Sequence, residues 1–579
     1  MEFYQAVVRC LNYSLNSAAF RLIRIWGWLG VQVLFRGTTL RRVVGALIIA
    51  GAVAVMPAAA ALGARGASSS VDLRVPLTLD YTTFDIQSEE ASQNTFASGF
   101  YDRLVAIDPN GKTVPYIATP TKVTTTAVTF KVHPGVKCSS GGTIDATMVY
   151  KSLKRLIAIP KARVNFMLAY FGNGPYSVSL NKKAQSVTFR TGTPYKYLLQ
   201  GFTAPASVML CPAAFTALAS DPKALLSKEY GSGPYTLRSA QHGVKIVLAR
   251  RAGWNWGPVI DGKKMTSADI PNTRTLVPVV SIDAQINLAL TGALDTVTVT
   301  TPPQVQRMDA ALKDFNKVVL QDWNPTNIML FNQRPGAATA SEPLRHAISL
   351  LLSPKDYNQA TYGGLGIPLT YGMILKGQPC YTNYTSLLPQ GSVATAKGIL
   401  TAAGFSYRGS QLVNPSGKDV KLMLLGSGPA NLGGEYVYNQ LKALGIDVDF
   451  QNLPGSGYTL NFLSGHFDMT ASSALAPIKS APAYRWPYFW GTPNEAGGSN
   501  VSDAGHGDGT FNHYFKLGLQ TQGAASCKNL NAAIKAGLTH YYWKPLTAQV
   551  SYQYTRKSVI RKTWMMFKGG DLLPLMIKR

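Results

Sequence analysis

The chain has 579 residues, more than a single domain usually contains, so two or three lobes are expected. Its composition is 46% hydrophobic with 53 glycines and 34 prolines, which excludes a disordered or coiled-coil chain and is typical of a globular protein with many turns. The formal net charge is +27, but Lys and Arg are scattered rather than clustered. This favours a basic surface adapted to an acidic medium or an anionic envelope over nucleic-acid binding.

The N-terminal region has the pattern of a secretory signal. Two arginines in Leu40–Arg42 precede the apolar run Val43–Met56, and small residues follow. Because residues 1–39 are unusual in front of a signal, we hypothesise that translation starts near residues 31–40. The alternative is a retained membrane anchor built from Phe20–Phe35 and the apolar run. No cysteine follows the small residues, so a lipid anchor is not expected. The sequence predicts a periplasmic, cell-surface or secreted protein.

The cysteines are consistent with export. Cys10 falls in the segment expected to be removed, which leaves an even number in the mature chain: Cys138, Cys211, Cys380 and Cys527. An even number in an exported chain suggests disulfides, but spacing alone leaves the pairing open. No Cys-x-x-Cys pair is present, so a structural zinc site is not expected.

The first half of the mature chain predicts mainly short strands. Val71–Val75, Val128–Val132 and Val187–Arg190 are β-rich, and the second alternates apolar and polar residues. Asp145 can cap a helix over Ala146–Leu156, where apolar residues recur at helical spacing.

The stretch Gly231-Ser-Gly-Pro-Tyr235 predicts a tight turn, because glycine tolerates positive φ and proline fixes φ. A hairpin should follow, with strands at Thr236–Arg238 and Val244–Leu248 around the turn Gln241–Gly243. Arg250–Trp256 would then leave the hairpin as an exposed segment of cationic and aromatic side chains.

The second half predicts α/β layering. A strand over Leu276–Ser281 followed by a helix over Ile282–Ala293 indicates the start of a second lobe. Two later amphipathic helices each stop at a glycine, which is a common helix C-terminal signal. The expected elements are a helix over Ala394–Ala403 ending at Gly404, a helix over Tyr436–Leu444 ending at Gly445, and a strand over Ile446–Phe450.

Known catalytic and metal motifs are missing from the sequence. It contains no Gly-x-Ser-x-Gly and no His-Glu-x-x-His. Gly111–Thr113 resembles the end of a phosphate-binding loop, but Ala106 stands where its first glycine should be. Asp503–Gly509 lacks the alternating oxygen ligands and terminal Glu of a calcium loop. We therefore expect no enzyme activity, no metal site and no cofactor.

Several stretches, in order along the chain, resemble the family 5 extracellular solute-binding proteins of ABC importers, the group that includes peptide-, nickel- and opine-binding members. They are Asp108–Ala118, Phe130–Thr143 with Asp145–Leu156, Gly231–Tyr235, Gly253–Gly257, Ile282–Asp295, Asn332 with Pro343–Ala347, Ala394–Phe405, Leu441–Val448 and His466–Met469. The resemblance runs from about Val71 to the C-terminus.

This resemblance implies an α/β fold of the large periplasmic-binding-protein type, in which two lobes close over a solute. The expected segments are a signal or anchor at 1–67, the first lobe at 68–279, the second lobe at 280–485, and a return to the first lobe at 486–579. The expected partners are a peptide or other small organic solute and the permease subunits of an ABC importer, and the protein would be a monomer that binds no nucleic acid.

The resemblance also implies one disulfide. Cys138 stands where the family motif usually has an aromatic residue, and Cys211 precedes Pro212 in the same lobe. We therefore predict a Cys138–Cys211 bond, and Cys380 and Cys527 as a second pair.

The solute contacts are harder to transfer. Peptide-binding members place an Asp after the segment matched by His466–Met469, but this chain has neither that carboxylate nor the Trp before it. A solute with anionic or neutral hydrogen-bonding groups, stacked on aromatic rings, is expected instead of a peptide with a free amine. The expected contacts are Tyr81, Thr82, Phe84, Trp323, Asn324, Lys479, Arg485 and Trp486.

Structural roles without solute contact remain open for two of these residues. Lys479 could be a solvated loop lysine, and Trp486 could pack between lobes. Two other functions also remain open: a basic envelope- or nucleic-acid-associated binding protein with no role in transport, and an enzyme that modifies its ligand on the same scaffold.

Overall fold

The structure is a computed structural model of the whole chain. It describes residues 71–472 and 502–578, with gaps at 78–79, 82, 89–98, 109–111, 160–166, 168–169, 173, 205, 261, 428–431, 454 and 566–573. The chain divides into two units, Met1–Gly66 and Ala67–Arg579. The first unit, with the predicted signal sequence or anchor, lies outside the described residues. Within the described ranges, no helix is both long and apolar enough to span a bilayer.

The second unit is a mixed α/β structure. Its strands are β1 (Asp72–Leu77), β2 (Val105–Ile107), β3 (Thr113–Pro115), β4 (Ala118–Val123), β5 (Ala127–Val132), β6 (Tyr176–Asn181), β7 (Ser186–Thr191), β8 (Tyr235–Gln241), β9 (Lys245–Arg250), β10 (Val259–Ile260), β11 (Lys263–Lys264), β12 (Thr273–Pro278), β13 (Thr296–Val299), β14 (Phe315–Phe331), β15 (Ile367–Pro368), β16 (Ser406–Arg408), β17 (Gln411–Val413), β18 (Lys421–Ser427), β19 (Asp447–Leu453), β20 (Met469–Ser472), β21 (Trp543–Arg556), β22 (Ile560–Met565) and β23 (Pro574–Lys578).

Its α-helices are α1 (Ala146–Ala158), α2 (Leu198–Gly201), α3 (Pro212–Ser220), α4 (Ile282–Leu290), α5 (Pro302–Asp309), α6 (Glu342–Leu351), α7 (Pro354–Tyr362), α8 (Val393–Ala402), α9 (Leu432–Ala443), α10 (Gly455–Ser464), α11 (Gly509–Gln520) and α12 (Gly523–Thr539). These bounds confirm the predicted strands and helices to within a few residues at each end.

Local sequence explains where these elements begin and end. The Asp145 side chain accepts a hydrogen bond from the backbone N–H of Met148 at 2.9 Å, so it caps α1 as predicted. After α9, Gly445 has a φ of +80°, and an added Cβ there would lie 2.1 Å from the carbonyl oxygen of Ser410. Only glycine fits this turn, which sends the chain from α9 into β19.

Three sheets organise the described chain. The first has the order β1-β12-β9-β8, with β1 and β12 parallel. The second is antiparallel, in the order β4-β5-β7-β6. The third has the order β13-β21-β14-β20-β18-β19, and β15 adds to β21. Within it β18 runs parallel to both β19 and β20, so the carboxyl ends of these three strands lie at one edge.

Two hydrophobic clusters form the main cores. The larger cluster packs the first two sheets against α1, α11 and α12, and it also includes Leu425 and Phe462 from around the third sheet. The second cluster lies under α6, α8 and α9, where Leu344, Leu400 and Leu441 pack against β18. The two cores therefore lie on opposite faces of the third sheet.

The predicted lobe boundaries at 279 and 485 stay a prediction. The segment expected to return to the first lobe has two kinds of contact. Its helices α11 and α12 contribute to the larger cluster, while its strand β21 pairs with β13 and β14 in the third sheet.

The Gly231–Tyr235 turn lies against the backbone of Phe100. The N–H of Gly233 donates to the carbonyl oxygen of Phe100 at 2.8 Å, and a Cβ on Gly231 would lie 1.9 Å from that oxygen. Both glycines are therefore required by close backbone approach rather than by flexibility. The predicted hairpin follows as β8 and β9.

The expectation that Arg250–Trp256 is an exposed segment is wrong for its aromatic side chains, although Ala252, Gly253 and Asn255 are exposed. Trp254 and Trp256 are 1% and 5% exposed. The Trp256 indole N–H donates to the carboxylate of Asp102 at 2.8 Å, and the hydroxyl of Tyr116 donates to the same carboxylate. Burial raises the pKa of Asp102, although these hydrogen bonds oppose the shift. Trp256 therefore supplies a donor that the buried carboxylate of Asp102 requires, while Trp254 belongs to the larger hydrophobic cluster.

Both predicted disulfides are present. Cys138 and Cys211 have an S–S distance of 2.08 Å with their Cα atoms 5.9 Å apart. Cys380 and Cys527 form the second bond, which links the loop before α8 to helix α12. The first bond joins the end of the β5 segment to the start of α3, inside the larger cluster.

Candidate functional site

The loop after β1 presents the predicted aromatic contact Tyr81. The preceding residue fixes this loop, because one oxygen of Asp80 accepts from the N–H of Tyr81 at 2.8 Å. Its other oxygen accepts from the N–H of Gly243 at 2.6 Å and lies 2.6 Å from Nδ1 of His242. Asp80 therefore joins the loop to the β8–β9 hairpin.

The ring of Tyr81 is partly buried and stands between two other rings. Its centroid lies 5.3 Å from that of Phe84 and 5.3 Å from that of His242. Such tilted pairs hold an aromatic ring in one orientation. Tyr81 also packs against the larger hydrophobic cluster, so its ring has a fixed position at the edge of that core.

Phe84 occupies a different environment from Tyr81. It is 1% exposed and packs edge-on against Phe100 with a centroid distance of 5.6 Å. Its carbonyl accepts from the hydroxyl of Tyr101 at 3.0 Å. Its predicted contact with a solute stays a prediction, and its position in the structure is that of a support for Tyr81.

The end of this loop is anchored to helix α1. The guanidinium of Arg155 donates two hydrogen bonds to the carboxylate of Asp85, at 3.0 and 2.5 Å, and a third to Oε1 of Gln87 at 2.8 Å. Asp85 is largely buried, so this two-pronged pair is shielded from solvent. The loop bearing Tyr81 is thus held at both ends by charged groups.

The third sheet offers a second candidate surface. Helix α10 begins just after the carboxyl end of β19 and carries a run of stacked rings that leads back towards the start of β20. Tyr458 and Phe462 have centroids 5.7 Å apart with an interplanar angle of 11°, and Phe462 stacks on Phe467 at 6.1 Å. The hydroxyls of Tyr458 and Thr470 lie 3.3 Å apart. In open α/β sheets, ligands bind at the carboxyl ends of the strands.

The sequence reasoning did not identify Tyr458 or Phe462. Their spacing of four residues after Gly455 is the available signal, since it places both rings on one face of a helix that starts at a strand end.

Trp323 and Asn324 belong to an irregular part of β14. Pairing with β21 jumps from Gln321 opposite Val550 to Pro325 opposite Ala548, so the residues between them form a bulge. The side chains of Trp323 and Asn324 lie outside the described residues.

The remaining predicted contacts also lie outside the described residues: Thr82, Lys479, Arg485 and Trp486. Three of them, Lys479, Arg485 and Trp486, follow β20 in the sequence, and the described part of that strand is Met469–Ser472.

Several residues of the recognised motifs bond the backbone of neighbouring elements. The amide of Asn332 donates to the carbonyls of Phe467 and Gly465 at 2.7 and 3.1 Å. Asp468 accepts from the N–H of Met423 at 2.8 Å, and burial raises the pKa of its carboxyl. These residues hold β14, β18 and β20 in register.

Comparison with known families identifies the chain. Residues 112–496 match the model of the middle region of the bacterial extracellular solute-binding proteins, family 5. This match covers more than half of the chain, so the protein belongs to this family, whose members are extracytoplasmic binding components of ABC importers.

A curated relative is the glutathione-binding protein GsiB of Pectobacterium atrosepticum. The two are 24% identical over 229 residues, which is 37% of this chain and 42% of the relative. The match therefore spans less than half of that relative's length.

Solved structures show the same two-lobed fold. A substrate-binding protein of Microbacterium hydrocarbonoxydans, complexed with 4-hydroxybenzoate hydrazide, has a TM-score of 0.68 and 22% identity over 87% of this chain and 98% of its own. NikA of Brucella suis, in complex with Fe(III)-EDTA, has a TM-score of 0.69 and 17% identity over 88% of this chain and 100% of its own. At these identities the likeness shows the fold, and it confirms the predicted two-lobed class.

Proposed function

We propose that this protein captures a small organic solute with aromatic or planar character and delivers it to the permease of an ABC importer. The solute would lie between the loop bearing Tyr81 and the carboxyl edge of β18, β19 and β20. It would carry anionic or neutral hydrogen-bonding groups rather than a free peptide amine. The protein would act as a monomer and would not modify the solute.

The observation that supports this solute chemistry is that the carboxylate of Asp80 already has hydrogen-bond partners within the protein. A free amine needs a carboxylate as its counter-charge. The carboxylate next to Tyr81 is already engaged by His242 and by two backbone N–H groups. An amine bound beside Tyr81 would compete with these partners for the carboxylate, whereas a neutral planar group stacked on the ring would not.

The aromatic rings support stacking. Tyr81 is held in a fixed orientation by its neighbours, and the partly buried ring of Tyr458 is held in the same way by stacking on Phe462, which is buried in the larger cluster. Rigid rings bind flat ligands with little loss of side-chain entropy. A relative of the same fold was crystallised with 4-hydroxybenzoate hydrazide, which is an aromatic ligand.

Native mass spectrometry of protein purified from its own source tests the proposal directly, because it weighs the solute retained in the cleft. We expect a small organic molecule without a free α-amine. Titration calorimetry with a tripeptide and its N-acetylated form provides the second test. Tight binding of the free tripeptide that is lost on acetylation would refute the proposed solute chemistry.

The contact at Tyr81 has a matched control. Replacing Tyr81 with Ala should weaken binding of the retained solute by roughly three- to tenfold, the usual contribution of a stacked ring. Tyr514 on α11 is 36% exposed and lies on another element. The Tyr514→Ala variant should bind as the wild type does, and equal weakening in both variants would exclude Tyr81 as a contact.

A further inference from the structure

A cavity separate from the proposed solute site lies where β21 begins. It is lined by α6, the end of α12 and the loop before α8, and its volume of about 10 Å³, measured as the space open to the centre of a water-sized particle, is room for one small occupant. Its walls are mostly apolar, formed by Leu350, Leu387, Leu388 and Leu538. Lys544 and Ser349 also line it, together with the rings of Tyr541 and Trp543.

Lys544 is a buried cation in this cavity. The residue is 2% exposed, and in the described part of the chain its ammonium group has neither an ion pair nor a hydrogen bond. The desolvation lowers the pKa of Lys544 to about 8, so the group is still mostly charged at neutral pH. A buried charge of this kind needs a counter-charge or a polar partner.

Two carboxylates, one on the lining helix α6 and one bonded to Tyr542 two residues before Lys544, have other partners. Glu342 on α6 pairs with His540 at 3.2 Å, and Asp508 at the start of α11 accepts from the hydroxyl of Tyr542 at 2.8 Å. Protein groups among the described residues therefore leave the ammonium of Lys544 uncompensated.

Ser349 is the second unpartnered polar group. It is 4% exposed, and its hydroxyl has no hydrogen-bond partner among the described residues. A hydroxyl donates one hydrogen bond, and an ammonium donates three. Both side chains line the same cavity, so they present donors to whatever occupies it.

We propose that this cavity is a binding site for a small monovalent anion such as chloride. The charge of Lys544 selects an anion, the hydroxyl of Ser349 supplies a second donor, and the apolar walls exclude the hydration shell of larger or multiply charged ions. The site ties β21 to α6 through the bound ion, so occupancy stabilises the fold independently of the solute.

Bromide is the probe, because it replaces chloride and is visible by anomalous X-ray diffraction. Crystals grown without halide and soaked in bromide should show an anomalous peak within hydrogen-bonding distance of Lys544 Nζ and Ser349 Oγ. In solution, the melting temperature should rise and saturate with sodium chloride but not with sodium gluconate at equal ionic strength. A cavity without bromide, or a peak without chloride-specific stabilisation in solution, would overturn the proposal.

Variants separate this site from general salt effects. Lys544→Met should abolish the chloride-specific rise, and Ser349→Ala should weaken the apparent chloride affinity by about tenfold, as expected for a lost hydrogen bond to a charged group. Lys535→Met on the exposed face of α12 is the control and should keep the full response. If Lys544→Met does not fold, Ser349→Ala and the bromide experiment still test the proposal. An unchanged apparent chloride affinity in Ser349→Ala would contradict the site.

Discussion

Replacing Gly231 with Ala should strongly destabilise the first lobe. The added methyl would lie 1.9 Å from the carbonyl oxygen and 2.7 Å from the carbonyl carbon of Phe100. Ordinary contacts begin near 3.4 Å, so the two backbones would have to separate by about 1.5 Å. Neither group is the flexible end of a side chain, and Phe100 is fully buried.

The cost follows from what the separation would break. Overpacking in a core typically costs about 1–3 kcal/mol. The hydrogen bond from Gly233 N–H to Phe100 and the bond from Ser139 N–H to the carbonyl of Gly231, at 2.8 and 2.9 Å, would be strained as well. Each contributes about 1 kcal/mol, so the expected loss of unfolding free energy is about 3 kcal/mol or more.

The measurement is urea unfolding followed by circular dichroism under oxidising conditions. Gly253→Ala is the control, because no atom lies within 4 Å of a methyl added there. That variant should unfold within about 0.5 kcal/mol of the wild type. A Gly231→Ala protein as stable as Gly253→Ala would refute the close approach, whereas failure of Gly231→Ala alone to yield soluble protein would support it.

Three further predictions concern other parts of the fold. The double replacement of Cys138 and Cys211 by Ser opens a loop of 73 residues and should cost about 4 kcal/mol, measured as a lower urea midpoint in non-reducing buffer, where the Cys380–Cys527 bond stays intact; an unchanged midpoint would contradict this. Lys544→Met should be more stable than the wild type at pH 7 by about 2–3 kcal/mol in chloride-free buffer. The unfolded lysine keeps its proton to a higher pH than the folded one, whose pKa is about 8, so wild-type stability rises with pH above 8 and the advantage should shrink towards pH 10; a constant difference would contradict this. Arg345→Met should destabilise by about 3 kcal/mol or more, because the buried guanidinium donates to four backbone carbonyls; an unchanged melting temperature would exclude this role.

The sequence could predict elements whose causes are local. Helix α1 needs only its own apolar spacing and the cap Asp145, and the turn into β19 needs only Gly445. The order of the strands within the sheets could not be predicted in this way. Strand β21 pairs with β14 more than 200 residues earlier in the chain, and nothing in its own sequence specifies that partner.

The buried tryptophans show where a local pattern fails. The segment Arg250–Trp256 contains cationic and aromatic residues, and such a segment is usually exposed. The partner that buries Trp256 is Asp102, 154 residues away in sequence. Likewise, the sequence could not show that Tyr81 stays partly exposed while Phe84 is buried in the core. Both are aromatic residues only three positions apart in the same loop.

The residues that identify the family have structural roles, and they differ from the residues proposed to determine solute specificity. Gly231, Asn332, Arg345 and Asp468 each contact the backbone of a neighbouring element, so their requirement is the same whatever the solute is. A change of solute must therefore come from positions that these contacts do not constrain. The proposed contact Tyr81 meets this condition, since its loop is anchored by Asp80 and Asp85 while its own ring stays partly exposed.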